Sequence, residues 1–255
     1  MHIRTAAAAT VGSLTLLTLV APLAQADEHK GDIVFTSVTF SKSTVNVGVS
    51  APQKLAVTAT AKDDSGIRSM AGLKLVSSDN RIQYAKSPTC TRPTTKTMKC
   101  SWSYSLESDR TDYADLRNSS AGTWHLDVEA AAYDGDFYTL DSSAKVKVKR
   151  YAKLATTQAT PEPVVKGRTL TVTGALTRAD WNTNAYTGFA AQKVALQFRK
   201  SGASTYTTVK TVTTDSAGKL RTTTTANASG TWRWHFAGTG TTGSATAAGD
   251  GVALK

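Results

Sequence analysis

Four aspartates fall in two short turn sequences, Asp63-Asp64-Ser65-Gly66 and Tyr133-Asp134-Gly135-Asp136. Carboxylates are hard oxygen donors, and calcium accepts about six to eight oxygens in loose geometry. If the strands before the two turns are central strands of one two-sheet sandwich, both loops lie at the same end. Asp63, Asp64, Asp134 and Asp136 then converge on one candidate calcium site. Both segments are also strong turn sequences whatever ion is present, and that alternative stays open. A second cluster is aromatic. Residues 178–191 hold Trp181, Tyr186 and Phe189 beside Asp180, Asn182 and Asn184. Rings on a loop with a few polar neighbours could stack on the faces of a glycan. The competing expectation is that the rings fold back over the open end of their own sandwich.

Cys90 and Cys100 are the only cysteines. In an exported chain they should pair, and two lone cysteines lack the partners a zinc site needs. Closing so small a loop stabilises by roughly 2.5 to 3 kcal/mol in the chain-entropy picture. The enclosed residues, from Thr91 through Arg92 and Pro93 to Lys99, could be presented to a protease as an inhibitor loop. Arg92 followed by proline argues against that use. Of the four histidines, His29 lies near the expected mature N-terminus, while His125 and His235 occupy separate halves of the chain. The sequence carries no Gly-x-Ser-x-Gly elbow, His-Glu-x-x-His pair or phosphate-binding glycine loop. A non-enzymatic role with no catalytic residue is therefore expected.

The elements that must position these residues are organised by a phrase that occurs twice. Asn118-Ser119-Ser120-Ala121-Gly122-Thr123-Trp124 is echoed by Asn227-Ala228-Ser229-Gly230-Thr231-Trp232, and the tryptophans are 232 − 124 = 108 residues apart. After each phrase apolar residues alternate: Trp124, Leu126, Val128 and Ala130, then Trp232, Trp234 and Phe236. Period two marks a strand with one buried face. Strands are expected at 33–39, 54–60, 72–76, 100–106, 123–130 and 142–149, with a helical turn over 110–117. In the second half they are expected at 168–177, 193–200, 205–213, 219–226, 231–236 and 251–254, with Asp215-Ser216-Ala217-Gly218 as a hairpin turn. The class is all-β, with two tandem immunoglobulin-like β-sandwiches at 33–150 and 151–255 joined by a short linker over 150–163.

Arg4, an apolar run to Leu19, Pro22 and Ala24-Gln25-Ala26 read as a signal peptide over 1–26. The mature chain is then secreted, with no membrane span. Residues 33–150 carry 16 basic and 12 acidic side chains, and residues 151–255 carry 12 and 4, so the second half bears +8 against +4. A basic extracellular domain is drawn to anionic cell-wall polymers. The competing account is colloidal solubility.

The two acidic turns, the cysteine pair with Ser101-Trp102-Ser103-Tyr104, and Gly122-Thr123-Trp124 together resemble a family of secreted domains from Gram-positive filamentous bacteria that has no assigned function. The resemblance spans about residues 62–148. Residues 194–199, Tyr206 and Ser229-Gly230-Thr231-Trp232-Arg233 are similar to immunoglobulin-like modules of secreted bacterial proteins, which mostly act as spacers or adhesive units. With the charge distribution, these resemblances lead to the expectation of a binding or scaffolding protein of the cell wall or extracellular space, which is also expected to be a monomer. Its expected partner is an anionic wall polymer, a glycan or a secreted protein, not nucleic acid, and it needs no cofactor beyond calcium. A carbohydrate-binding module and a protease inhibitor are the alternatives.

Overall fold

A computed structural model describes residues 27–85, 87–109 and 115–255. The signal peptide expected over 1–26 lies outside the described residues, as do positions 110–114 of the expected helical turn. In chain order the first half forms β1 (Glu28–Lys30), β2 (Val34–Phe40), β3 (Thr44–Val47), β4 (Gln53–Lys62), β5 (Ile67–Val76), β6 (Ile82–Tyr84), β7 (Thr89–Thr94), β8 (Thr97–Leu106), β9 (Gly122–Ala132) and β10 (Phe137–Arg150). The second half forms β11 (Ala152–Leu154), β12 (Gln158–Thr160), β13 (Thr169–Asp180), β14 (Ala185–Gly188), β15 (Lys193–Lys200), β16 (Thr207–Thr213), β17 (Lys219–Thr225), β18 (Gly230–Phe236), β19 (Ala245–Thr246) and β20 (Asp250–Val252). A single 3-10 turn, Asn118–Ser120, precedes β9.

The first ten strands make two facing sheets. One runs β2-β4-β8-β7, and the other runs β10-β9-β5-β6, with β1 on the first half of β10 and β3 parallel to its last four residues. In immunoglobulin lettering this is A-B-E-D against A′-G-F-C-C′. In the second half β13 is central. It pairs with β12 and β17 along its first half and with β11 and β14 along its second. The facing sheet runs β16-β15-β18, with β19 and β20 beyond β18. The protein is all-β, built of immunoglobulin-like sandwiches.

Alternation explains the cores. On β8, Met98, Cys100, Trp102, Tyr104 and Leu106 are buried while the residues between them are exposed. Trp124 and Trp232 both sit on the inward face of the F-type strand of their sandwich, at 0% and 3% exposure. One core spans Ile33 to Val148 and a second spans Ala152 to Val252, with one crossing: Ala179 and Trp181 belong to the first core.

Several expectations need correction. The strand expected from residue 72 begins at Ile67, because two register shifts against β9, one at Gly72 with φ +67°, break the alternation. The strand expected from residue 142 begins at Phe137, with a bulge between Leu140 and Ala144. The linker expected over 150–163 is half strand, since β11 follows β10 after one residue and β12 covers 158–160. The Asp215–Gly218 turn is real, with Gly218 N donating to Asp215 O at 3.0 Å. It joins β16 to β17 in opposite sheets and is no hairpin. The residues between the cysteines form the β7–β8 hairpin, in which the disulfide-bonded Cys90 and Cys100 are direct cross-strand partners.

Candidate functional site

The acidic turns follow β4 and β9. β5, which the first turn starts, pairs with β9, so the two loops are neighbours. The backbone locks them together: Tyr133 N donates to Gly66 O at 3.1 Å, and Asp134 N donates to Ser65 Oγ at 3.3 Å. Asp63 N donates to Lys96 O at 3.0 Å, fixing the β7–β8 hairpin to the same end. A fifth carboxylate, absent from the sequence-based set, joins them. Asp32 lies between β1 and β2, and its amide donates to Asp136 Oδ2 at 2.9 Å. Gly31 makes this approach possible: its φ is +85°, and a Cβ there would fall 1.5 Å from Asp136 Oδ2. The position of Asp32 at the mouth of the first strand was the available clue, since strand A starts at the end where B–C and F–G turn.

Two overlapping groups result. Asp32, Asp63 and Asp64 can bring one oxygen each within 4.8 Å of one another, and so can Asp63, Asp134 and Asp136. Asp63 is common to both and is only 2% exposed. Its Oδ1 accepts from Ser65 N at 2.8 Å and Ser65 Oγ at 2.6 Å, while among the described residues no N–H or hydroxyl donor reaches its buried Oδ2. Desolvation alone would raise the Asp63 carboxyl, but the Ser65 bonds, followed by Asp32 and Gly66, hold it below the ordinary range. Asp32 is pushed up by desolvation, then by Asp64, Asp63 and Asp136. A pocket of about 260 Å³ opens here, lined by Asp32, Asp63 and Asp64 together with Val34, Lys62 and Lys96.

The aromatic loop is divided: Trp181 and Tyr186 go to the first sandwich, against the expectation that all three rings cover their own, while Phe189 does turn into its own core. Trp181 is fully buried in the first core, and its Nε1 donates to Val47 O at 3.1 Å. Tyr186 is half-buried against that core, with Lys153 Nζ 3.6 Å above its ring. Phe189 turns into the second core, edge-on to Phe236, under the Arg178 guanidinium. The three rings share no face that a sugar could cover. The polar neighbours are used as well. Asp180 Oδ1 accepts from Asn118 Nδ2 at 3.0 Å, Asn182 Oδ1 accepts from Asn118 N at 3.0 Å, and Asn118 Oδ1 accepts from Trp181 N at 2.9 Å. Asn184 turns its amide nitrogen to the Val49 and Ser108 carbonyls at 2.7 and 3.2 Å.

Arg150 closes this joint between the sandwiches. It is 6% exposed, donates through Nε to Ala179 O at 2.6 Å and lies 3.8 Å from Asp180 Oδ2. Desolvation and then Arg178 lower it to about 10, against the pull of Asp180. Burial would raise Asp180, but hydrogen bonds from Asn118, Thr183 and Asn182 more than offset this and hold it low. The backbone continues the lock: Tyr151 N donates to Val47 O, Arg150 N to Thr241 O, and Gly243 N to Arg150 O.

The remaining candidates are structural in their surroundings. Arg92, on β7, donates to the Ile67 carbonyl on β5 of the facing sheet and lies beside Tyr133, so the proposed inhibitor residue is tied across its own sandwich. His29, near the expected mature N-terminus, is held in place: it stacks on Tyr138 at 4.4 Å and hydrogen-bonds Ile33 O at 2.8 Å. His125 lies 3.7 Å from Asp127, and His235 contacts Thr246 Oγ1 at 2.9 Å in the other half.

No family model matches the chain, and no curated protein matches it. Among solved structures it is similar to a DUF4785 family protein from Legionella pneumophila, at 16% identity and TM-score 0.39, covering 77% of this chain and 50% of that one. The chain thus spans half the length of that protein. It is also similar to three N-terminal domains of the highly immunogenic outer capsid protein of bacteriophage RB49, at 9% identity and TM-score 0.33, covering 88% and 70%. A third likeness is to a bacterial ice-binding adhesin, at 14% identity and TM-score 0.27, covering 86% and 65%. Among the described residues no helix is long and apolar enough to cross a membrane.

Proposed function

We propose that the chain is an exported, non-enzymatic binding and scaffolding protein whose two sandwiches act as one stiff unit. The observation that carries this is the joint. A tryptophan from the second half completes the first core, and a buried arginine, an aspartate and two asparagines satisfy one another across the seam. Flexible tandem modules need no such shared core, whereas a spacer that must hold a fixed distance does. The disulfide fits an oxidising compartment.

The charge of the second half supports an anionic wall polymer as the partner. On the outer face of β15 and β18, Arg199 and Arg233 both lie over Tyr206, at 5.0 and 3.6 Å from its centroid. Residues 27–255 should be incubated with purified cell wall, chitin, cellulose and secreted protein at low and high salt. Retention on wall that is lost at high salt is expected, since screening removes charge attraction. Failure to be retained on any of the four at low salt refutes the proposal. Retention released by a soluble sugar but not by salt would instead favour a carbohydrate-binding module.

A further inference from the structure

We infer that the acidic end of the first sandwich is a calcium site that ties the β1–β2 segment to the two neighbouring loops, with Asp63 as its central ligand. The reasoning starts from geometry. Oxygens on opposite sides of one calcium ion are roughly 4.8 Å apart, given bonds of about 2.3 to 2.6 Å. The Asp63 groups fall within that span. Clustered carboxylates alone would show little, because exposed acidic loops are common. The second observation is Asp63 itself. It is almost fully buried, its Oδ1 is saturated by Ser65, and among the described residues no N–H or hydroxyl donor reaches its buried Oδ2. Leaving a buried carboxylate oxygen without a donor is costly, and a hard cation is the partner that also suits the carboxylates grouped with Asp63: Asp32 and Asp64 in one group, Asp134 and Asp136 in the other.

Each ligand arrives by a different route. Asp63 and Asp64 come from the turn after β4, Asp134 and Asp136 from the turn after β9, and Asp32 from the segment between β1 and β2. The first two pairs are already locked through Tyr133 and Ser65, whereas Asp32 is held by its amide on Asp136. Calcium therefore acts most on residues 28–32. Lys62 and Lys96 line the same pocket, and Lys30 Nζ reaches Gly135 O at 3.4 Å, so part of the negative charge is already balanced. That places the affinity in the weak extracellular range, with Kd of about 10⁻⁴ to 10⁻³ M.

The test uses residues 27–255, stripped of metal, in calcium chloride at about 5 mM, in EDTA, and in magnesium and sodium chloride at matched ionic strength. Calcium should raise the thermal midpoint by about 3 to 10 °C over EDTA, by mass action at these affinities. It should also slow hydrogen exchange at residues 28–32. Magnesium should do much less, because it demands tighter octahedral geometry. Asp32→Asn, at an exposed position, should fold normally and lose most of the calcium response. Asp63→Asn should lose all of it. A wild-type midpoint equal in calcium and EDTA overturns the inference, as does an Asp32→Asn response equal to that of the wild type. An equal rise with sodium chloride would show that lysines and screening alone balance the cluster, and it too overturns the inference. None of these results bears on wall retention, which is measured separately.

Discussion

Trp181→Ala should destabilise the first sandwich although residue 181 directly follows β13 of the second. The side chain has no exposed surface and is among the largest fully buried groups of the protein. Truncating a buried tryptophan costs about 3 to 5 kcal/mol through lost transfer energy and the cavity left behind. The Nε1 bond to Val47 O adds about 1 kcal/mol. That carbonyl keeps its bond from Tyr151 N, so it is not orphaned and the total stays at about 4 to 6 kcal/mol. Trp181→Phe, which fills most of the space without the donor, should cost about half as much. Hydrogen exchange followed by mass spectrometry under mild urea reads each sandwich separately. In Trp181→Ala, β3 and β9 should lose protection, while β15 and β18 change little. Small-angle scattering should show a broader distribution of interdomain distances. A loss confined to β15 and β18, or a total cost below about 1 kcal/mol, would refute the shared core.

Trp124→Ala and Trp232→Ala should each cost about 3 to 5 kcal/mol, read by urea unfolding, each in its own sandwich. Reducing the Cys90–Cys100 bridge should cost roughly 2.5 to 3 kcal/mol and lower the thermal midpoint of the first sandwich alone. Asp79 joins the turn after β5 to the 3-10 turn, accepting from Ser119 Oγ at 2.6 Å and Ser120 Oγ at 3.1 Å, with Arg81 nearby. Desolvation opposes ionisation there, but the Ser119, Ser77 and Ser120 bonds and then Arg81 outweigh it and hold the carboxyl below its ordinary 3.8. A depressed carboxyl contributes stability above its unfolded value and loses it as pH falls through the folded one. Asp79→Asn should therefore destabilise at pH 7 and cost less at acid pH, once the pH has fallen below the depressed folded value. Equal cost at both pH values would show that the serine bonds do not depend on the charge. Gly31→Ala should detach β1, seen as lost protection at residues 28–30, because the new Cβ would occupy the place of Asp136.

Strands whose alternation is unbroken were legible. Residues 193–200 were expected with the observed limits, and the cores around Trp124 and Trp232 follow from period two alone. Where the chain bulges, one phase becomes two and the pattern reads as a turn. On β5 the buried residues are Ile67, Met70, Leu73, Leu75 and Val76, a spacing that is neither strand nor helix until the shifts at Ser69 and Gly72 are known. Short edge strands such as β3, β6 and β14 carry too few residues for a period. The convergence of the acidic turns could be reasoned from strand order, and the same order puts Asp32 at that end, but its close contact with Asp136 depends on a left-handed Gly31 that the sequence alone does not show. The destination of Trp181 was illegible for a different reason. Nothing local distinguishes an aromatic loop that covers its own sandwich from one that completes the neighbouring core.

The parallel pairing of β3 with the end of β10 has a mechanical meaning. Thr44 to Val47 lie in register with Lys147 to Arg150, and Arg150 leads straight into the buried joint. Tension on the chain ends pulls β3 toward the N-terminus and β10 toward the C-terminus, along the strand axes. The rungs of that ladder are then loaded in shear and must fail together, whereas an antiparallel hairpin opened from its end peels one rung at a time. A protein anchored at one end and gripped at the other would thus resist force first at β3 and β10. The second sandwich, braced through Arg150 and Trp181, would share that load.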